Sequence, residues 1–193
     1  MPARKSATQL RTARKAAMRP RPARKQEMVM QRERSIELLN KAVADELAAV
    51  HQYMYFHFHL DDQGFAPLAG LFKRTAIEEM GHVEALAERI LFLKGDTNMV
   101  AAGNVEKIRD PVAMLAKAMH MEEASAREYN QWALECSANA DAASKQLFEK
   151  LIHDEEGHCN NFERQLENIK RFGPNYLALE SFGGNGVRAE AAH

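Results

Sequence analysis

Four stripes of apolar positions, each advancing by three and four residues, run through the chain and predict four amphipathic helices. The first extends from about Met28 to Leu60 and aligns Ile36, Leu39, Val43, Glu46, Val50, Tyr53 and His57 on one face. Asp61-Asp62-Gln63-Gly64, with Pro67 just beyond, ends it and opens the second. That second stripe reads Leu68, Leu71, Thr75, Glu79, His82, Leu86, Ile90 and Leu93, and stops at Gly95. Asp110-Pro111 supplies an N-cap followed by proline at the first helical position, and the third stripe follows as Leu115, Met119, Glu122, Ala126, Tyr129, Ala133 and Cys136. After a break at Asn139-Ala140-Asp141, the fourth carries Phe148, Leu151, Glu155, His158, Phe162, Leu166 and Ile169 and ends before Gly173-Pro174. A short amphipathic piece, Asn175 to Phe182, precedes the glycine-rich Gly183-Gly184-Asn185-Gly186, which reads as a loose tail.

The connections set the topology. Helices one and two are joined by a short turn and form an antiparallel pair. Residues 95 to 110 show no period and are too long for a hairpin turn. At about 3.3 Å per residue they reach roughly 50 Å, against about 40 Å for a 27-residue helix, so this stretch can cross the length of a bundle and let helices two and three run parallel. The expectation is an all-α four-helix bundle with one long crossover between helices two and three and a short fifth helix. The organisation read from the pattern is 1–27 as a disordered basic arm, 28–173 as the bundle, and 174–193 as a short C-terminal helix and flexible tail.

Charge changes this picture at one end only. The net charge is −1, but nine of the 26 basic residues lie within residues 1–25, which contain no acid, leaving 17 basic against 27 acidic residues in the remainder. A disordered arm of this kind, residues 4–25, can hold phosphate backbones such as DNA without sequence specificity; a solubilising tail and an Arg-rich targeting peptide are the other readings. No apolar run approaches the roughly 20 residues of a membrane span, and no signal segment is present, so the expected location is the cytoplasm. Cys136 and Cys159 form neither a disulfide framework nor a paired metal knuckle, and read best as small buried thiols.

The chemistry lies in polar residues standing where core residues belong. Glu46, Glu79, Glu122 and Glu155 each interrupt an apolar stripe, and His82 and His158 follow two of them as Glu-x-x-His, one helical turn apart on the same face. Residues 46, 79 and 82 recur as 122, 155 and 158, all displaced by 76 positions, as if one helical hairpin were used twice. Four facing glutamates inside a bundle cost several kcal/mol unless compensated, and two divalent cations balance their charge. One Glu from each of two helices plus Glu-x-x-His from each of the other two is a known pattern for di-iron and di-manganese sites, and mixed oxygen and imidazole donors suit iron, manganese or zinc. Glu78, Glu123 and Glu156, neighbours of the proposed ligands, are expected on outer faces.

On these residues the chain resembles the bacterioferritin branch of the ferritin-like superfamily. The similar segments are Leu39-Asn40-Lys41, Asp45-Glu46-Leu47, Gln52-Tyr53, Glu78-Glu79-Met80-Gly81-His82, Glu88-Arg89-Ile90-Leu91-Phe92-Leu93 and Asp154-Glu155-Glu156-Gly157-His158. Gly173-Pro174-Asn175-Tyr176-Leu177 is similar to the entry to that family's short C-terminal helix. The resemblance implies two Fe per subunit, bridged by Glu79 and Glu155, with Glu46 and His82 completing one site and Glu122 and His158 the other. It implies a ferroxidase that uses oxygen or hydrogen peroxide and stores iron in a hollow homo-oligomer, a 24-mer in preference to a 12-mer. Tyr53 takes the place of a tyrosine that hydrogen-bonds near the centre. Met80 takes that of a haem b axial ligand contributed across a two-fold interface, although His51 and Lys73 near that face depart from the family's less charged pocket. Two other readings stand beside this one. The basic arm resembles those of starvation-type DNA-protecting mini-ferritins. A rubrerythrin-like peroxidase lacks, in this chain, the paired CxxC motifs for electron entry.

Overall fold

The computed structural model describes residues 22–173, 175–179 and 181–182. Expectations for residues 1–21, which hold most of the basic arm, and for the tail from residue 183 onward lie outside the described residues. Four helices carry the fold: α1 (Pro22–Asp62), α2 (Ala66–Phe92), α3 (Pro111–Ala138) and α4 (Ala142–Phe172). Helix α1 starts six residues before Met28, where the pattern begins. Proline is tolerated at a first helical position, and Ala, Arg, Lys, Gln, Glu and Met that follow are strong helix formers, so the helix extends without needing an apolar face.

Local chemistry fixes the ends. At the α1–α2 turn, the Phe65 amide donates to Leu60 O at 2.9 Å and the Gly64 amide to Asp61 O at 3.0 Å, with Gly64 in the left-handed region at φ 85°. Helix α2 closes with the same pair of bonds, the left-handed position now held by Lys94 at φ 63°, and the glycine that follows is required by space: a Cβ on Gly95 would lie 2.7 Å from Ile36 Cγ2. The Asp110 carboxylate accepts from the Ala113 amide at 2.8 Å and caps α3. The Asp141 carboxylate accepts from the Ser144 amide at 3.1 Å and caps α4.

Between α2 and α3 the chain travels along α1 in the direction of α1 itself. Asn40 holds the Asp96 carbonyl at 3.0 Å and the Asn98 amide at 2.7 Å. The Ala102 amide donates to Ala44 O at 2.8 Å. Gln52 clasps both the amide and the carbonyl of Glu106, at 2.7 and 3.0 Å, and Gln63 donates to Arg109 O at 3.2 Å. These contacts return the chain to the far end of α1, so α3 runs parallel to α2, and α1–α2 and α3–α4 form the two hairpins. Beyond α4, residues 175–179 are helical and fold back: the Tyr176 hydroxyl donates to Gln165 Oε1 at 3.2 Å, and Leu177 packs on the core.

The buried apolar side chains fall into two clusters rather than one. Leu38, Leu39, Leu86, Ile90, Trp132 and Phe148 anchor the first. Phe56, Leu60, Phe72, Met114, Leu115 and Phe162 anchor the second. The midsection between them is polar.

Candidate metal centre

Each helix turns a carboxylate into that midsection. Glu46 from α1, Glu79 from α2, Glu122 from α3 and Glu155 from α4 are at most 2% exposed, with His82 and His158 at 7% and 6%. They form two overlapping groups whose donor atoms lie within 4.8 Å of one another: Glu46, Glu79, His82 and Glu155 in one, and Glu79, Glu122, Glu155 and His158 in the other. Glu79 and Glu155 belong to both. All six residues named from the sequence come together, and all six come from one chain.

Burial makes this arrangement costly unless something compensates it. His82 Nδ1 lies 2.8 Å from Glu79 Oε2 and 3.2 Å from Glu155 Oε1; His158 Nδ1 lies 2.9 Å from Glu79 Oε1. Despite these distances, both Glu79 oxygens, Glu155 Oε1 and both imidazole Nδ1 atoms make no hydrogen bond. Their lone pairs converge on shared space instead of on one another, as a metal-ligand set requires. Unsatisfied buried polar atoms are rare, and five at one point mark a site that lacks a partner the protein itself cannot supply.

The proton equilibria agree. Burial, then the charge of Glu155, pushes Glu46 well above the usual carboxylate range; burial, then the charge of Glu79, does the same to Glu122. Burial pulls the imidazoles down, but the surrounding carboxylates overcome it, lifting His82 to about 12 and His158 to about 10. Burial would raise Glu155 as well, yet the neighbouring Glu122, His158 and His82 hold it below the usual range. With protons as the only counter-charge, the cluster must gather several of them. Two dications serve the same purpose and match the donors.

The shell around these ligands repeats the 76-residue offset. The Tyr53 hydroxyl, from α1, donates to Glu122 Oε1 on α3 at 2.5 Å; the Tyr129 hydroxyl, from α3, donates to Glu46 Oε1 on α1 at 2.6 Å. Each tyrosine straps the other hairpin's glutamate, and burial keeps both hydroxyls protonated. On the opposite side, Glu78 reaches His158 Nε2 at 2.9 Å and Asp154 reaches His82 Nε2 at 3.5 Å. These contacts turn both Nδ1 atoms inward. Sequence reasoning placed Glu78 on an outer face. Its side chain is indeed 58% exposed, but its carboxylate bends back to the histidine. Tyr129 and Asp154 were missed as site residues, though each lies 76 positions from a partner, Tyr53 and Glu78, that could have revealed it. Met80 points away from the bundle at 44% exposure, beside the exposed Ile77, so it is not part of this chain's core. Cys136 is fully buried and Cys159 partly so; neither touches the centre.

Residues 36–172 match the family described as the ferritin-like domain. The chain is 36% identical to the bacterioferritin of Desulfovibrio desulfuricans over 77% of its own length and 83% of the relative's. It is 37% identical to that of Rhodobacter capsulatus over 75% and 89%. The solved D. desulfuricans bacterioferritin, studied for its diiron site in different catalytic states, superimposes with a TM-score of 0.77 at 35% identity, covering 79% of this chain and 90% of that one. The R. capsulatus structure, with a metal-free dinuclear site and haem iron in a crystallographic special position, gives 0.73 at 35% identity over 75% and 91%.

Proposed function

The chain belongs to the ferritin-like family, in its bacterioferritin branch, and from that premise we propose that it stores and detoxifies iron by oxidising Fe(II) to Fe(III) at a two-metal centre within one subunit of a hollow homo-oligomer. The observation that carries this reading is the pair of overlapping donor groups sharing Glu79 and Glu155, with five buried atoms left without hydrogen bonds. The two Fe(II) ions are substrate, each giving one electron, which matches the two-electron reduction of oxygen to hydrogen peroxide or of hydrogen peroxide to water.

The protein's share is placement. Glu79 and Glu155 bridge the two positions; Glu46 with His82, and Glu122 with His158, close them at either end. Tyr53 and Tyr129 keep the terminal glutamates from swinging outward, and the two apolar clusters wall off water above and below. Carboxylates suit both oxidation states because they can shift between bridging and terminal binding without moving the backbone.

The finer reading follows the family. The shell is a cytoplasmic 24-mer, and the exposed Met80 thioether, facing a second copy, is the residue to hold haem b. No helix among the described residues is long and apolar enough to cross a membrane. Replacing Glu79 and Glu155 together by alanine is expected to abolish rapid Fe(II) oxidation while leaving the shell assembled. Oxidation at the unaltered rate in an assembled variant would falsify the centre.

A further inference from the structure

The metal centre leaves one strongly charged part of the chain without a role. Residues 1–25 hold nine basic residues and no acid, and the rest of the chain holds 17 basic against 27 acidic residues. This arm lies outside residues 36–172, the part that matches the ferritin-like family. Its root belongs to the described fold: α1 begins at Pro22, yet the first buried position among the described residues is Ser35. At 1.5 Å per residue that lead is about 20 Å of helix. Met28 and Met30 on it are 62% and 64% exposed. The hollow beside it is lined by Gln26, Glu27, Met30, Gln31 and Arg34, with Asn139 of the α3–α4 turn as the one lining residue from outside α1.

Two features keep the root of the arm from being neutralised by the acidic body. Carboxylates at this end of the bundle already have basic partners within it. Arg34 holds Glu37 and Glu135, each at 2.7 Å, Lys41 also holds Glu37 at 3.2 Å, and Arg89 holds Asp141 at 2.5 Å. The field between exposed charges also decays over about 8 Å at physiological salt, less than half the length of the lead. The arm's charge is therefore left for a partner.

Composition selects among anionic partners. A segment that lies in a bilayer surface sets bulky apolar residues beside its cations. Residues 1–25 contain no Ile, Val, Phe, Tyr or Trp, and Arg19, Pro20, Arg21 and Pro22 alternate cation with proline. Arg and Lys without apolar anchors match a polymer that presents phosphates at close, regular spacing and asks for no insertion. We propose that residues 4–25 bind the phosphate backbone of duplex nucleic acid without sequence preference, with the start of α1 holding that contact away from the acidic bundle. Nucleic acid condenses cations around itself, so a bound chain meets Fe(II) where the polymer concentrates it. The binding itself does not depend on the metal centre.

The test compares the full chain with a variant lacking residues 2–21, which keeps all of α1, and with one carrying Arg19→Gln, Arg21→Gln, Arg24→Gln and Lys25→Gln. Anisotropy of a fluorescein-labelled duplex of about 30 base pairs is followed from about 50 to about 200 mM salt, with vesicles of phosphatidylcholine and phosphatidylserine run in parallel. The full chain is expected to bind duplexes of unrelated sequence equally and to lose about 1,000-fold in affinity across that range. At the lowest salt the truncated protein should bind about 100-fold more weakly, and the four-glutamine variant should fall between with a shallower salt slope. Both variants should oxidise Fe(II) at the unaltered rate. Equal duplex binding by the full and truncated proteins would overturn the proposal, as would no duplex binding by the full chain at the lowest salt. Vesicle capture tighter than duplex binding would overturn it in favour of a membrane surface.

Discussion

Tyr53 and Tyr129 each donate one hydrogen bond, and each bond holds a glutamate of the other hairpin. That reciprocity lets the two metal positions be separated experimentally. Tyr53→Phe is expected to weaken the position formed with Glu122 and His158, and Tyr129→Phe the one formed with Glu46 and His82, each by about 10- to 100-fold in metal affinity. Co(II) titration should then show one tight and one weak equivalent in either variant; two unchanged tight equivalents in Tyr129→Phe would reduce that residue to packing. At this scale the sequence was only half informative. The six clustered residues were legible because a buried charge in an apolar stripe is an anomaly that periodicity exposes. Glu78 was not, because helical position tells where a Cα–Cβ bond points and not where a long flexible side chain ends. Tyr129 hid for the opposite reason: a tyrosine in a core stripe looks like ordinary packing until its hydroxyl is given a partner.

The helices themselves were read nearly in full, since their stops are local. Gly64, Asp110 and Asp141 act through bonds within a few residues of their own position. The crossover's length was legible from its lack of period, but its anchorage was not: Asn40, Gln52 and Gln63 hold segments about 50 residues away, and polar residues on a helix carry no mark of their partners. The α2–α4 junction depends on one such distant contact, from Arg89 to the Asp141 cap at 2.5 Å, with the two side chains 16% and 14% exposed. Burial alone would raise Asp141, but its bonds to Ser144 and the nearby Arg89 prevail and hold it below its ordinary value of 3.8. A carboxyl depressed in the folded state contributes stability above its unfolded value and loses it as pH falls through the folded one. Asp141→Asn keeps a capping residue but loses the charge, so it is expected to cost about 1–3 kcal/mol near neutral pH. That difference should shrink steadily below pH 3.8, as read from urea midpoints of the two proteins at matched pH. A gap that stays constant into acid would assign the effect to capping geometry instead of charge.

For the whole molecule, the repeat explains why a polar layer can divide the core without breaking the fold. Two hairpins of similar pattern present their buried carboxylates to one midsection, and the apolar clusters on either side are anchored separately. On the proposed reading, two dications offset the cost of gathering four glutamates, which couples the stability of the bundle to its cargo. Storage on this scale predicts hundreds of irons per assembly, and retention of no more than two per chain would remove it while leaving the oxidation centre. The central claim is more specific: one chain supplies Glu46, Glu79, His82, Glu122, Glu155 and His158 to two adjacent metal positions. Anomalous diffraction at the iron edge, from crystals loaded anaerobically with Fe(II), tests it directly. The account predicts two peaks about 3.5–4 Å apart, both touching Glu79 and Glu155. A single peak, or iron bound between chains and away from these residues, would contradict it.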